Sequence, residues 1–391
     1  MIVRLGDIAE FINGGSWSDK EYTTDGIPVV KVTNLKNGSV DLTEVNYIPE
    51  SSLDKYGRHM LRKGDLVIAT VGSHPNLVAS AAGRATIIPS IAEGALLNQN
   101  ALCIRANSEI LYQGYLGYLG KSDLFQGYVK SVGRGAANQV RIALGLIKEF
   151  SFQIPPLPTQ RKIANILSAY DDLIENNLKR IKLLEEKAKL HYVQYKPVEI
   201  FELQNKAEYL GRGVSPKYED GSGFYAINQK ANKGSMLDYN YFKSLDTKLE
   251  VPDEKFAKWG DLLINSLGEG TLGRVHFYTD KSDLYAVDQH MSIFRTSELH
   301  YTFYLYQFLA SDYGQGLIET LKKGGTNMTM LNISDLRQLE VSFPKEKDLK
   351  ELWAIAEPMY KLKQILTSQN TKLREARDIL LPRLMSGQIE V

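Results

Sequence analysis

The sequence predicts an α+β protein: two α/β domains, related by a pseudo-twofold axis, joined by two long helices that form an antiparallel coiled coil. Two observations predict this fold. The chain contains an internal repeat at a nearly constant offset, and each repeat ends in a long glycine-free run with the apolar periodicity of a coiled coil. Two such units, each a domain followed by a helix, can close on each other by pairing their helices antiparallel.

The repeat is defined by a Tyr-Leu pair followed, at fixed spacing, by Ser-Asp, Gln-Gly, a glycine and an asparagine. The first copy begins at Tyr115 and the second at Tyr304, and Pro155 and Pro344 keep the same offset of 189 residues. Upstream of this block the offset shifts slightly, because loops tolerate small insertions. The matches keep both order and spacing, which indicates a duplicated unit.

Composition divides the chain into four segments. Residues 1–155 and 197–344 contain short runs of β-branched residues bounded by turn residues, which predict strands, and one helical stretch each, at Leu111–Lys130 and Tyr301–Lys322. Residues 156–196 and 345–391 are predicted to be long helices, the second with a C-terminal tail. The predicted strands are Ile27–Val32, Asp65–Val71, Arg84–Ile88, Ala101–Arg105, Gly223–Asn228, Asp261–Ser266, Arg274–Tyr278 and Met291–Arg295.

The long helices show apolar residues at alternating steps of four and three, which predicts a coiled-coil seam. Asn177 occupies one seam position in the first helix and Gln369 one in the second, so these two residues are predicted to set the register. We expect Asn177→Leu to leave stability unchanged or raised while loosening the alignment. The predicted seam positions are Ile163, Leu167, Tyr170, Ile174, Ile181, Leu184 and Ala188, then Leu352, Ile355, Met359, Leu362, Leu366, Leu373, Ala376 and Leu380.

Bulk properties predict a cytoplasmic protein. The N-terminus lacks the apolar core of a signal peptide, apolar runs are too short for a membrane span, and the single cysteine, Cys103, can form no internal disulfide. The formal net charge of +1 neither favours nor excludes a nucleic-acid partner. Residues 197–345 carry 16 basic and 20 acidic side chains, so phosphate contacts there would require a local basic edge.

Catalytic motifs are weak, and we predict no catalytic and no metal-binding residues. Gly268–Gly273 fits the dinucleotide pattern G-x-G-x-x-G, but the alternating residues after it predict a strand where a phosphate site needs a helix. Pro155-Pro156 lacks the polar and aromatic neighbours of an amino-methyltransferase motif. The six histidines show no metal-ligand spacing, and no nucleophile is paired with a base.

Polar, glycine-spaced loops occur at corresponding places in both halves and favour a DNA-binding surface. Arginine pairs well with guanine, asparagine and glutamine with adenine, and lysine with phosphate. The candidates in the first half are Trp17, Lys31, Thr33, Asn34, Ser73, His74, Arg84, Asn98, Gln99, Arg134, Asn138 and Gln139. Those in the second half are Arg212, Asn228, Gln229, Lys230, Thr271, Arg274, Gln289, His290, Lys322, Lys323, Thr326 and Asn327.

Several segments resemble one known family. Residues 155–164 (PPLPTQRKIA) look like the start of the long helix in specificity subunits of type I restriction–modification systems, and residues 372–387 are similar to their C-terminus. Residues 26–32 and 61–65 resemble the first recognition domain of the family. The second helix start, at Pro344, departs from the pattern because it lacks the glutamine.

The resemblance implies a non-catalytic subunit with two target recognition domains, each binding half of a split, asymmetric target in double-stranded DNA. It implies partners: two methyltransferase subunits docked on the helical region, and restriction or motor subunits. S-adenosylmethionine, ATP and magnesium would bind to those partners and none to this chain. Candidate partner contacts are Gln160, Ile163, Leu178, Leu183 and Leu190.

Two alternatives remain open from the residues alone. The chain could be an orphan DNA-binding or architectural protein without enzyme partners, whose coiled coil would be polar outside its seam. It could also be an enzyme with an unrecognised site, which binding of S-adenosylmethionine to the purified chain would reveal. Leu178, Leu183 and Leu190 lie off the first seam and favour docking of partners.

Overall fold

The computed structural model describes the chain except residues 37–38, 43–44, 73–81, 137–138, 220, 222, 269, 281–283 and 326–327. The side chains of residues 36, 39, 134–136, 139, 324–325 and 328 are likewise not described. The chain forms two compact units, Met1–Ile174 with Thr371–Val391, and Glu175–Asn370. Each long helix therefore contributes one part to each unit.

The first unit begins with a short strand and ends with part of a long helix. Its helices are α1 (Leu5–Ile8), α2 (Leu53–Tyr56), α3 (Gln113–Lys121), α4 (Asp123–Val132), α5 (Leu144–Lys148) and the start of α6 (Leu157–Tyr192). Its strands are β1 (Ile2–Arg4), β2 (Ala9–Asn13), β3 (Ile27–Val30), β4 (Leu35–Lys36), β5 (Ser39–Val40), β6 (Asn46–Ile48), β7 (Leu66–Ala69), β8 (Val71–Gly72), β9 (Ala85–Ile87), β10 (Leu96–Leu97), β11 (Ala101–Ala106), β12 (Arg134–Ala136), β13 (Gln139–Arg141) and β14 (Ser151–Gln153).

The second unit contains the rest of α6 and most of the last helix. Its strands are β15 (Glu199–Glu202), β16 (Tyr209–Arg212), β17 (Tyr225–Ile227), β18 (Lys243–Ser244), β19 (Leu262–Asn265), β20 (Val275–Phe277), β21 (Tyr285–Val287), β22 (Met291–Arg295), β23 (Lys322–Gly325), β24 (Met328–Leu331) and β25 (Glu340–Phe343). Its helices are α7 (Leu299–Leu309), α8 (Asp312–Leu321), α9 (Ile333–Arg337) and α10 (Glu346–Met385), which continues into the first unit.

The two units share the topology of their two largest sheets, as the duplication predicts. The main sheet is antiparallel, with strand order β2-β11-β7-β9 in the first unit and β16-β22-β19-β20 in the second. Beside it, β3 pairs parallel with β10 and antiparallel with β6, and β17 pairs in the same way with β21 and β18. All eight predicted strands are present: six are two or three residues shorter than predicted, β22 has the predicted bounds, and β11 is one residue longer.

A buried ion pair recurs at the same place in both main sheets. Arg105 donates through Nε and Nη2 to the two carboxylate oxygens of Asp65, at 2.8 and 2.7 Å, and Arg295 holds Asp261 at 2.7 Å through both contacts. Each aspartate also accepts a backbone N–H from the turn that precedes it. Such bidentate pairs fix geometry, and they explain why both residues recur in the sequence repeat.

The sequence predicted a single helix inside each domain, and this prediction is wrong in detail because each segment forms two consecutive helices. α3 ends and α4 begins at Ser122, whose Oγ accepts the N–H of Phe125 at 3.3 Å, and Ser311 does the same for Gly314 between α7 and α8. A serine with extended backbone that caps the next helix necessarily ends the helix before it. The Ser-Asp of the repeat is therefore a helix N-cap followed by an acidic first residue.

In the first unit the N-terminal part of α6 runs antiparallel to the C-terminal part of α10. Lys162 and Ile166 line a shallow cavity with Leu380 and Leu384, and further along α6 Asp171 pairs with Arg377. Asp171 also accepts the Tyr118 hydroxyl at 2.7 Å, which ties the pair of helices to α3. Ile163, Ala164 and Leu167 belong to the core of the domain.

In the second unit the C-terminal part of α6 pairs antiparallel with α10. Nδ2 of Asn177 donates to Oδ1 of Asn370 at 2.9 Å, and Lys363 binds Glu185 at 2.6 Å. The polar seam residue of α10 is thus Asn370, which is 2% exposed, and the prediction of Gln369 is wrong because that side chain is exposed. Every predicted seam position of α6 is buried or half-buried, and some of these side chains also pack on the adjoining domain.

The long helices are polar enough that none of the helices in the described part of the chain could cross a bilayer. The glycine-rich stretch from Gly268 to Gly273 connects β19 to its antiparallel partner β20. It is followed by a strand, as predicted, and so does not open a helix at which a pyrophosphate could bind.

Candidate nucleic-acid interface

The candidate surface lies at one end of each main sheet. There, one glycine in each unit follows a strand and lies in close contact with a neighbouring turn. Gly14 donates to the Ala101 carbonyl at 3.0 Å, and Gly213 donates to that of Met291 at 3.0 Å. A Cβ on Gly14 would lie 1.9 Å from the Asn98 carbonyl oxygen, and one on Gly213 would lie 2.1 Å from that of Val287. Only glycine fits at either position, so both turns are held in the same way.

The turn that these glycines contact is also matched. Oδ1 of Asn98 accepts the N–H of Asn100 at 3.4 Å, and Oδ1 of Asp288 accepts that of His290 at 2.8 Å. Asn98 and Asp288 are buried, because their side chains stabilise the turn from inside. The residue between each pair, Gln99 or Gln289, is exposed at the tip.

Several predicted candidates stabilise the loops themselves. Arg84 donates to the Leu35 carbonyl at 2.7 Å, and its counterpart Arg274 donates to that of Asn232 at 2.9 Å. Asn34 accepts the N–H of Lys31 and donates to the Asp41 carbonyl, while Asn228 accepts two N–H groups of its own loop. These side chains shape the surface: the two arginines contact segments distant in sequence, and the two asparagines stabilise their own loops.

Trp17 and Lys31 are anchored against other polar and aromatic side chains. Nε1 of Trp17 donates to the Tyr22 hydroxyl at 3.0 Å, and its ring packs edge-on against Tyr56 at 5.3 Å. The ammonium of Lys31 donates to Asn46 at 2.7 Å and lies over the Tyr22 ring. Thr33, next to them, is exposed.

In the second unit Arg212 is held by backbone rather than by a carboxylate. It donates to the Leu331 carbonyl, its Nη1 is buried without an acceptor among the described residues, and burial lowers its pKa. His290 pairs with Asp288, which also accepts the Tyr218 hydroxyl at 2.9 Å. The remaining candidates here are half-buried Gln229, whose carbonyl accepts from Asn265, exposed Lys230, and Thr271, which donates to the Gly268 carbonyl.

The predicted phosphate-binding lysines lie on β23 and already have acidic partners. Lys322 binds Glu319, and Lys323 binds Asp335 at 2.8 Å while its side chain remains 60% exposed. Arg134 and Gln139 lie on β12 and β13, but their side chains are not described. Ser73, His74, Asn138, Thr326 and Asn327 lie outside the described residues.

The candidate loops converge within each unit. In the first, the Thr70 hydroxyl donates to the Asn100 carbonyl and the Thr70 carbonyl accepts from Ile142, which joins the Asn98 turn to β13. In the second, Ser266 donates to His290 and accepts from Leu331, which joins the Asp288 turn to β24. The loops at this end therefore form one polar surface on each unit.

The predicted partner contacts divide into two groups. Gln160 is fully buried: Oε1 accepts the N–H of Tyr112 at 2.8 Å, and Nε2 donates to the carbonyls of Ile110 and Pro155. Ile163 is buried as well, so the prediction that these two contact a partner is corrected: they fasten α6 to its own domain. Leu183 and Leu190 are 63% and 65% exposed, and Leu178 is half-buried.

The sequence analysis did not find one cluster of possible metal ligands, because one member, Glu346, is distant in the chain from the other two. Glu298, His300 and Glu346 bring ligand atoms within 4.8 Å of one another. Lys350 donates to Glu346, so a protein cation already neutralises part of this charge. We assign no metal to this cluster.

Together these features define a class of protein: a scaffold with two similar α+β domains, each packed on a pair of antiparallel helices and each with matched polar loops at one end of its main sheet. Residues 1–186 match the family model described as the type I restriction modification DNA specificity domain. The chain is therefore similar to specificity subunits of type I restriction–modification systems.

The similarity to relatives extends over the whole chain. The type I restriction enzyme MjaIX specificity subunit of Methanocaldococcus jannaschii is 26% identical across 100% of this chain and 93% of its own length. The HindI specificity subunit of Haemophilus influenzae is 20% identical, with 92% of each chain covered. The crystal structure of an S subunit from M. genitalium has the same fold, with a TM-score of 0.53 and 14% identity over 98% of this chain and 95% of that one.

Proposed function

We propose that the chain directs partner methyltransferase and restriction subunits to a bipartite, asymmetric DNA target without catalysing a reaction itself. The observation that carries this proposal is the matched polar surface at the same end of the main sheet in each unit. Two surfaces of one architecture suit two half-sites. Because the surrounding loops differ in sequence, the two half-sites differ as well.

We assign the chemistry to the partners. Two methyltransferase subunits would supply S-adenosylmethionine, and restriction subunits would supply ATP and magnesium, all acting with this chain on cytoplasmic DNA. Leu183 and Leu190 support docking, because exposed leucines on a helix favour a covering partner over an orphan DNA-binding protein.

The long helices would then set the length of the unspecified spacer between the half-sites. α6 has 36 residues, and at about 1.5 Å per residue it is roughly 54 Å long. One turn of B-DNA is about 34 Å, so two domains on one face of the duplex would bind half-sites centred roughly one turn apart.

Inserting four residues, about one helical turn, into both α6 and α10 tests this directly. Sequencing the methylome of a host that carries the variant with its methyltransferase should show a longer spacer and unchanged half-sites. A continuous short target for the parent protein, or a spacer indifferent to helix length, would refute the proposal.

A further inference from the structure

The matched turns at the end of each main sheet both have a glutamine at the tip, although the residues on either side of it differ. Gln99 lies between Asn98 and Asn100, and Gln289 lies between Asp288 and His290, so the glutamine is retained in the repeat while its neighbours differ. Both glutamines are exposed, whereas the matched arginines Arg84 and Arg274 donate to backbone carbonyls.

The backbone on either side of each glutamine is fixed. Before the tip, the N–H of Asn98 donates to the Val30 carbonyl at 3.0 Å, and that of Asp288 donates to the Ile227 carbonyl at 2.9 Å. After it, the N–H of Ala101 donates back to the Asn98 carbonyl at 3.1 Å. A side chain carried on a rigid turn loses little freedom when it binds, so contacts made from such a position are specific.

Glutamine has the donor and acceptor pattern that distinguishes adenine in the major groove. Its amide can accept from N6 and donate to N7 of adenine at the same time, and no other single base offers both groups in the major groove. The side chain is uncharged, so it adds little to non-specific attraction for phosphate.

We propose that Gln99 and Gln289 are matched base-contacting residues, each binding one adenine in its own half of the target. This inference rests on the proposed function and adds to it the residues that select one base pair in each half-site. It requires that both half-sites contain at least one A·T pair.

The test uses the complete methyltransferase complex in a host whose methylome is sequenced. Gln99→Ala should relax one position in one half-site only, and Gln289→Ala one position in the other. The expected loss of discrimination at that position is about 5- to 150-fold, the measured range for a bidentate base contact. Gln99→Glu should shift the preference at that position towards cytosine, because a carboxylate accepts from cytosine N4.

Gln153 and Gln204 provide matched controls, since both are exposed glutamines outside the candidate loops. Gln153→Ala and Gln204→Ala should leave both half-sites unchanged. The inference is overturned if the tip variants keep the full parental motif, if they weaken all sequences equally, or if one parental half-site lacks an A·T pair. A parent complex with no bipartite target would instead refute the proposed function.

Discussion

The asparagine pair between α6 and α10 offers the sharpest test of how the helices are aligned. Asn177 and Asn370 are both buried, and one amide hydrogen bond of 2.9 Å joins them. Nδ2 of Asn370 has no partner in the described part of the chain, so the pair is only partly satisfied. The sequence alone led us to expect that Asn177→Leu would not destabilise the protein, and Asn370 changes that expectation.

Asn177→Leu leaves Asn370 buried with no polar partner on the facing helix. The cost of such an orphaned group is about 1–3 kcal/mol in the free energy of unfolding. A unit of this size melts about 2–4 °C lower per kcal/mol, so we expect the second unit to melt roughly 2–12 °C below the parent. Replacing both asparagines by leucine removes both polar groups and should restore or exceed the parental melting temperature.

Differential scanning calorimetry measures these shifts, with Gln369→Leu as the control. Gln369 neighbours Asn370 but is exposed, so its replacement should change stability by less than about 0.5 kcal/mol. The double leucine variant should also methylate targets with altered spacers more readily, because an apolar seam selects register less strictly. A single variant as stable as the parent, or a double variant that is less stable than the single, would show that the pairing is not the cause.

Three further outcomes are expected. Gln160→Leu should lower the melting temperature of the first unit by more than the exposed Lys162→Ala, because it strips hydrogen bonds from three backbone groups; equal effects would contradict this. Burial lowers the pKa of His276 from 6.5 to about 3, so between these pH values the unfolded chain binds a proton that the folded chain does not, and the folded state loses stability as pH falls from 6.5 towards 3. His276→Phe should therefore flatten the dependence of melting temperature on pH, and an unchanged slope would contradict this role for His276. Lys322→Ala with Lys323→Ala should weaken binding to cognate and random duplexes alike and lower the salt slope by about one per lost contact, whereas a loss limited to cognate DNA would mean that these lysines contact bases.

The internal repeat was the observation that predicted most of the fold, because one order of elements had to fit both halves of the chain. The eight predicted strands and both long helices are present among the 25 strands and ten α-helices of the described residues, and the recurring Asp65 and Arg105 form a buried ion pair found again at Asp261 and Arg295. The pseudo-twofold relation between the halves stays a prediction.

The error at Gln369 has a physical cause. α10 packs against its domain as well as against α6, and Trp353 and Tyr360 both contact Phe277 of the main sheet. A helix with two apolar faces shows overlapping periodicities, and the sequence does not say which of two adjacent amides, Gln369 or Asn370, points into the seam.

The sequence predicted which loops form the candidate surface. It did not predict which of their side chains are free of contacts within the domain and so could contact DNA. Nothing local in the sequence shows that Arg84 donates to a carbonyl near residue 35 or that Gln160 holds the backbone near residue 110. These partners are backbone groups about fifty residues away, and a carbonyl gives no signal in residue type. Gln99 and Gln289 can be singled out from the other candidates only after these structural roles of the other side chains are known.

The shared helices also have a consequence for how the protein is made. The first unit closes only when residues 371–391 reach it, because Leu384 lies in the same buried cluster as Leu5, Tyr115 and Ile163. On the ribosome, residues 175–370 are synthesised in between, which takes about 10–40 s at 5–20 residues per second. During that time the nascent N-terminal domain exposes part of its core, so the first unit can finish folding only after residues 371–391 have been synthesised.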